Sequence, residues 1–526
     1  MHHLRISTLN DFPPHVLVPK YDVNAVSIGV AHIGATSNFG RSNIMPYFDA
    51  ALNHLAAQGR PLDMGVVAIK TTAGEKPMML RQMEQQDNLY TVVGRGIKDE
   101  VRVIGSVREV MNYSDTPEAV INRLADPKIK IITITGTQSA YALNKDGTGI
   151  DTTKPEVQAD ITNPFSPVTV PGLLVAALAK RAEKGIDPPM IISCDNIPDN
   201  GSKLGSVLQQ YAAATGICKP EYMALVKTPN TMVDRITPQQ NSPHNQEVVR
   251  PHGILDAAAI LAEGFSKWTI EQRGIVDPRL AALSSGGVKL VPDLKAHEDM
   301  KIRGLNGAHL ALGLVGVLSG EELVHKAVGQ PHIRPYISTL LDQVAATVRL
   351  PDKETSVLRS EVIGRFDNAA MPDKLQRLLT ETSSKVSARL VNYPAIAAGK
   401  GYEASAFAVA SWMRYMQGSD DNNNLLPIAD TRSGELGNRV RSVGFDTERF
   451  LSTAGGKVFD ASQLGSDGHQ IARPFFAKVA EYHKQINAFG VAVALERAFG
   501  LDMAVAQRPL PNQQQQSQAT PTQQMK

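Results

Sequence analysis

Residues 297–309 read HEDMKIRGLNGAH and bring His297, Glu298, Lys301, Asn306 and His309 into one short stretch. Its opening falls one residue short of HExxH, in which two histidines four places apart hold a zinc ion. The place of the second histidine is taken by Lys301, whose ammonium repels a cation. On a regular helix of about 100° per residue, Glu298 lies roughly 60° from Lys301, His309 roughly 80° and Asn306 roughly 140°. These polar groups therefore share one face, which also carries Ile302 and Leu305. Gly304 and Gly307 each weaken such a helix by about 1 kcal/mol relative to alanine. In exchange they let a backbone or a ligand come close. One chemistry for the set is a lysine base with an asparagine and a histidine on the reacting oxygen. A lysine takes up a proton at neutral pH only where burial lowers its pKa, and Glu298 then suits a proton relay. A solvated helix face is the competing account, and spacing alone leaves both open.

Two further polar clusters sit where strands are expected to end. IISCDNIPDNGSK (191–203) leaves an apolar run and turns polar, which is the edge at which open α/β sheets bind ligands. Asn196 there has an amide able to donate to a developing alkoxide, although asparagines also end strands for local reasons. KTPNTMVDRITPQ (227–239) is read as following a strand; its Asp234 is either a ligand-binding carboxylate or a partner for Arg235.

The elements that must position these groups change character along the chain. AVSIGVAHIG (25–34), DMGVVAIK (63–70), VRVIGSV (101–107), KIKIITITG (128–136), PMIISCD (189–195) and YMALVKT (222–228) read as strands. Their nearly continuous apolar character predicts burial on both faces, as in a parallel sheet. Helical patterns at 45–59, 117–126 and 171–185 alternate with them, the signature of a doubly wound α/β domain. Beyond about residue 290 the periodicity is helical. The expected division is a Rossmann-type α/β domain at 1–285, a mainly α-helical domain at 286–507 and a disordered polar tail at 508–526.

Composition narrows the function classes. A net charge of +2 without long Lys/Arg runs argues against a nucleic-acid surface. Two cysteines, Cys194 and Cys218, suit a reducing compartment and build neither a disulfide framework nor a thiolate zinc site. No apolar run suggests a signal peptide or a membrane span. A cytoplasmic protein with a small-molecule partner is expected, its oligomeric state left open.

The phrases QDNLYTVV, VRVIGS, EAVINRLADP, SCDNIPDNG, PNTMVDRITP and MKIRGLNGAH together resemble the polyol-specific long-chain dehydrogenase/reductase (mannitol dehydrogenase) family over most of the chain. The resemblance implies a metal-independent oxidoreductase that moves a hydride between NAD or NADP and a polyol or ketose. It implies Lys301 as general acid/base, Asn196 and Asn306 as oxyanion donors, His309 as a substrate-positioning group and Glu298 as a proton gate. Asp234, Arg377 and Lys385 become substrate contacts, the last two from RLLTETSSK. Mannitol/fructose is the leading pair; fructuronate/mannonate and tagaturonate/altronate are alternatives, since reductases of these sugar acids share the core motifs. A non-catalytic binding protein on the same fold is the rival from another class.

Two loops depart from the family pattern. HIGATSNFGRSN keeps Gly34, Phe39 and Arg41 as cofactor-loop residues but displaces the second glycine, and TITGTQSAY (133–141) lacks the family's glutamate. The second Rossmann strand also runs into Lys70, Thr71 and Thr72 with no acid before Glu75. An acid there would repel a 2′-phosphate, so Lys70 as a phosphate partner tilts the expected cofactor toward NADP.

Overall fold

Every residue from Gly29 to Ile33 is buried, so the first predicted strand needs cover on both faces. The computed structural model provides it. It describes residues 2–500 except 97, 137, 145–146, 148, 239–241, 273–274, 276 and 454–457. Strands β1 (Ile28–Ile33), β2 (Gly65–Lys70), β3 (Val107–Asn112), β4 (Ile131–Ile134) and β5 (Met190–Ser193) form one sheet. Its order is β3-β2-β1-β4-β5, with every neighbouring pair parallel. This is a Rossmann-type sheet whose order reverses between β1 and β4, where a crevice opens.

Side chains alternate across it. Val30, Val66, Ala68, Ile131 and Ile192 enter one core with Phe48 and Leu52 of helix α1 (Met45–Ala57). Ala31, Val67, Ile69, Ile132 and Ile191 enter the other. That second core contains Val120 of α2 (Pro117–Leu124), Leu174 of α3 (Val170–Glu183) and Val207 of α4 (Asn200–Thr215).

Three expectations are corrected. VRVIGSV is two strands: Glu100–Ile104 pairs antiparallel with Tyr90–Arg95, whereas Val107 opens β3. The break falls at Gly105, whose added Cβ would lie 2.9 Å from Pro19 and 3.0 Å from the Tyr21 hydroxyl. YMALVKT is not a strand. Pro220 at the first helical position and Glu221 beside it start a short helix, Pro220–Met223, instead. The strand lies further on, at β6 (Thr231–Asp234), so Asp234 ends a strand rather than following one. β6 belongs to a separate three-stranded sheet with Lys267–Glu271 and Lys289–Val291.

The chain divides into two units, Met1–Glu298 and Asp299–Lys526. The second is helical. At its centre α5 (Gly307–Leu318) is buried at every position except His309, which is half-buried. A helix apolar on all sides has to be enclosed, and Leu375–Leu378, Glu403–Tyr415 and Ile333–Ala345 pack around it. The polar tail expected at 508–526, and residues 501–507 of the expected helical domain, lie outside the described residues. Among the described residues no helix is long and apolar enough to cross a membrane.

Candidate functional site

The first unit carries a cleft of about 500 Å³ at the carboxyl ends of β1, β2 and β4, lined by Gly34, Ser37, Lys70, Thr72, Thr135 and Thr169, among others. Ser37 caps the helical run beyond β1: its Oγ accepts from the Gly40 amide at 3.0 Å and its carbonyl from the Arg41 amide at 3.1 Å. A glycine turn leading into a capped helix start offers amide donors to a pyrophosphate, so this cleft fits a dinucleotide. Gly34 has φ of +128°, and a Cβ there would stand 2.3 Å from the Thr135 hydroxyl. The displaced second glycine, Gly40, lies against His32 Nε2 and Thr135 Oγ1, at 2.6 and 2.8 Å from an added Cβ. Its small size thus serves helix-on-strand packing.

The four cofactor-loop expectations separate. Gly34 and Lys70 line the cleft. Phe39 packs against the core beneath the sheet. Arg41 is buried, with Nη1 donating to the Ala258 carbonyl at 2.8 Å and its guanidinium 5.5 Å from the Tyr90 ring centre. Phe39 and Arg41 therefore brace the loop from below. Lys70 is also turned inward. Only 4 % exposed, its Nζ faces the carbonyls of Thr72 (2.5 Å), Ala73 (3.4 Å) and Gly74 (3.0 Å), and Asn112 Oδ1 (3.2 Å). An ammonium has three donors, and these four acceptors occupy them. The expected pairing of Lys70 with a 2′-phosphate gives way to a scaffolding role.

At the neighbouring strand ends, Asn196 is exposed just beyond β5 and Asp234 is half-buried at the end of β6. Arg235 is directed elsewhere, its Nε donating to the Glu263 carbonyl at 2.9 Å and Nη1 to the Ser42 carbonyl. Asp195, next to Asn196, accepts from the Gly136 amide at 2.7 Å and from the Tyr141 hydroxyl, which also meets Ser193 Oγ at 2.6 Å. Burial raises the Asp195 pKa above the ordinary carboxylate range. The TITGTQSAY stretch thus reaches back, through Tyr141, to the segment that carries Asn196. Glu298, buried at the end of this unit, accepts from the Asp199 amide at 3.4 Å. His297 is buried too, its pKa pushed down to about 4 by burial and by Lys289 and Lys267.

In the second unit Lys301 and Asn306 belong to a π-helical segment, Met300–Asn306, that runs into α5. The face derived for a regular α-helix is therefore corrected. In a π-helix the hydrogen bond spans five residues rather than four, so groups five apart share a face as groups four apart do on an α-helix. Lys301, Asn306 and His309 are each half-buried. His309 Nδ1 stands 3.0 Å from the Leu305 carbonyl, which only accepts, so Nδ1 carries the proton. Its ring meets Phe366 edge-on, with centroids 4.5 Å apart. Arg303, which the sequence did not single out, anchors the segment through Thr347 Oγ1 at 2.7 Å and Asn392 Oδ1 at 2.9 Å.

Arg377 is exposed and forks onto Asp373, with Nε 2.6 Å from Oδ1. Lys385 donates to the Thr380 carbonyl; its pKa is lowered by burial first and then by Arg389, with Arg377 contributing in the same direction. Among the described residues no group of three or more His, Cys, Asp or Glu is placed to hold a metal ion.

Comparison with known proteins agrees with this layout. The family model described as the mannitol dehydrogenase Rossmann domain matches residues 28–283, and the mannitol dehydrogenase C-terminal domain matches 293–457. An uncharacterized oxidoreductase of Escherichia coli, YeiQ, is 32% identical over 92% of this chain and 97% of its own. The polyol:NADP oxidoreductase of Gluconobacter oxydans is 31% identical over 93% and 99% of the two chains. The ternary complex of Pseudomonas fluorescens mannitol 2-dehydrogenase with NAD and D-mannitol superposes with a TM-score of 0.72 at 29% identity, covering 95% of this chain and all of that one.

Proposed function

The chain belongs to the mannitol dehydrogenase family, and from that premise we propose that it interconverts a polyol and a ketose with Lys301 as general acid/base. Mannitol/fructose is the leading pair. The nicotinamide cofactor, when bound, accepts or donates the hydride; Gly34 and the Ser37-capped helix start would hold its pyrophosphate. In the oxidation direction Lys301 Nζ takes the hydroxyl proton, and the amides of Asn196 and Asn306 donate to the oxygen as charge develops on it. With its Nδ1–H directed to the Leu305 carbonyl, His309 positions a substrate hydroxyl. Glu298 relays the proton onward, and Asp234, Arg377 and Lys385 grip hydroxyls. No metal ion is required in this scheme.

The observation that carries the reading is the second unit's polar set. Lys301 and Asn306 share one π-helical segment, and His309 is the half-buried member of an otherwise buried helix. A π-turn interrupting a buried helix is a feature often found at functional sites. On the cofactor, the end of β2 supplies threonines and no carboxylate before Glu75, whose side chain pairs with Arg81 at 3.0 Å. The reading therefore admits NADP alongside NAD, without a lysine–phosphate pair.

A sugar-acid substrate is the second reading. It is favoured by the cationic pair Arg377 and Lys385, which lie in each other's field and suit a carboxylate. The deciding experiment follows NADH and NADPH consumption with fructose, fructuronate and tagaturonate, using Lys301→Ala as control. Turnover of fructose well above the sugar acids, lost in the variant, is the expected result. Equal turnover by the variant would remove the lysine mechanism. Failure of both cofactors to bind would favour a non-catalytic protein.

A further inference from the structure

The motif SCDNIPDNG contains a second asparagine, Asn200, to which the proposed chemistry gives no role. It is 1 % exposed and begins α4. Both ends of its amide are engaged. Oδ1 accepts from the Thr231 amide at 2.9 Å; Nδ2 stands 2.9 Å from the Asp195 carbonyl and 3.0 Å from the Thr231 carbonyl. Thr231 Oγ1 adds a direct tie to the Ser193 carbonyl at 2.5 Å. Asn200 thus joins the end of β5 to the start of β6, two strands of different sheets with no ladder between them.

The adjoining backbone allows little alternative. A Cβ on Gly201 would lie 2.2 Å from the Pro229 carbonyl oxygen, so the first turn of α4 rests directly on the segment leading into β6. Asp199 holds a left-handed conformation, φ of 54°, immediately before it. On the other side, the Asp195 carboxylate is fixed by the Gly136 amide and Tyr141. Asp195 is therefore held at its side chain by one set of partners and at its carbonyl by Asn200. The next residue is Asn196. Three positions along β6 from Thr231 is Asp234.

We infer that Asn200 is a positioning residue: its buried amide sets the placement of Asn196 relative to Asp234, and so of the oxyanion donor relative to the hydroxyl-binding carboxylate. The inference rests on the roles proposed above for those two residues. A planar amide with an acceptor on one side and donors on the other suits the task. Aspartate would set a carboxylate against two carbonyls, and serine is too short to bridge both strands. A displacement of about 1 Å at a reacting group costs on the order of 10²-fold in rate.

The test is a double-mutant cycle in the full-length protein, read by kcat, KM for the ketose and NADH binding by fluorescence. Asn200→Ser should lower kcat about 10- to 100-fold while NADH affinity stays at the wild-type value. Asn196→Ala should lower it further. The combined variant should be no slower than Asn196→Ala alone, because the tie acts through a group already removed. Full multiplication of the two effects would overturn the inference, as would wild-type kinetics for Asn200→Ser. Wild-type kinetics for Asn196→Ala would instead overturn the oxyanion role and the inference with it. Should Asn200→Ser fail to fold, Thr231→Val removes the hydroxyl tie while keeping the strand side chain's shape, and enters the same cycle with the same expectations.

Discussion

Lys301 and Asn306 occupy the second and last positions of one seven-residue π-helical segment, five residues apart. Five is the interval over which that helix closes its hydrogen bonds, so the ammonium-bearing and amide-bearing residues fall on one face, much as residues four apart do on an α-helix. A regular α-helix would turn them well apart. The motif Lys-x4-Asn therefore has a local structural cause, which links the spacing in sequence to the irregular backbone.

Lys301→Ala should lower kcat by about 10²- to 10⁴-fold, the usual contribution of a positioned acid/base, with NADH binding retained. Steady-state rates and fluorescence titration check the two halves. Dialysis against a chelator should leave wild-type turnover unchanged. Loss of activity restored by zinc would refute the lysine mechanism.

Gly307 and Gly304 should behave oppositely on conversion to alanine. A Cβ on Gly307 meets the Arg389 carbonyl oxygen at 2.5 Å, a backbone atom that cannot swing aside, whereas one on Gly304 meets the flexible end of Met300 at 2.9 Å. Gly307→Ala should destabilise by about 1–3 kcal/mol, as overpacking does. Gly304→Ala should be close to neutral, since the better helix propensity offsets the contact. Urea denaturation midpoints compare them, and equal midpoints would contradict the packing account.

Lys70→Met should raise KM for NADH and NADPH by similar factors. The ammonium orders the loop at Thr72–Gly74 through its carbonyls, and that loop borders the cleft whichever cofactor enters. A loss confined to NADPH would restore the direct phosphate pairing that the inward-facing geometry argues against.

His32 predicts a pH effect on stability. Its ring nitrogens meet Thr133 Oγ1 at 2.9 Å and Thr135 Oγ1 at 3.1 Å, and burial pushes its pKa down to about 4. Well above about pH 6.5 the ring is neutral in both folded and unfolded chains and adds no slope. As pH falls from about 6.5 toward about 4, the unfolded chain binds a proton that the folded one refuses, so stability declines. The stability difference between wild type and His32→Gln should therefore shift by about 2 kcal/mol, against the wild type, between about pH 7 and about pH 5. Parallel denaturation curves at the two pH values would show that the ring is not held neutral.

Four of the five parallel strands are legible because burial on both faces writes an uninterrupted apolar run, as in GVVAIK and KIIT; β3 is not, because VREVMN interleaves Arg108 and Glu109 and is only partly buried. β6 was missed because its four residues include Thr231 and Asp234, too short and too polar to announce a strand. YMALVKT misled for the reverse reason, as its apolar residues are only partly buried around a proline-started helix. Lys301, Asn306 and His309 could be picked out by type and spacing, but the π-turn that relates the first two leaves no mark in composition. The inward turn of Lys70 was equally hidden, since three of its four acceptors are backbone carbonyls, which any residue carries.

The carbonyl cage around Lys70 bears on attempts to redesign coenzyme choice. Exchanging one charged residue at the end of the second Rossmann strand is an obvious engineering move, and position 70 looks like an interchangeable socket for it. A glutamate there would face the oxygens of Thr72, Ala73 and Gly74 and be repelled by each, pushing the loop outward before any ribose could be read. Selectivity would have to be rewritten on the loop and the strand end as one unit, with residues 70 and 112 exchanged together so that the new side chain finds its own internal partner.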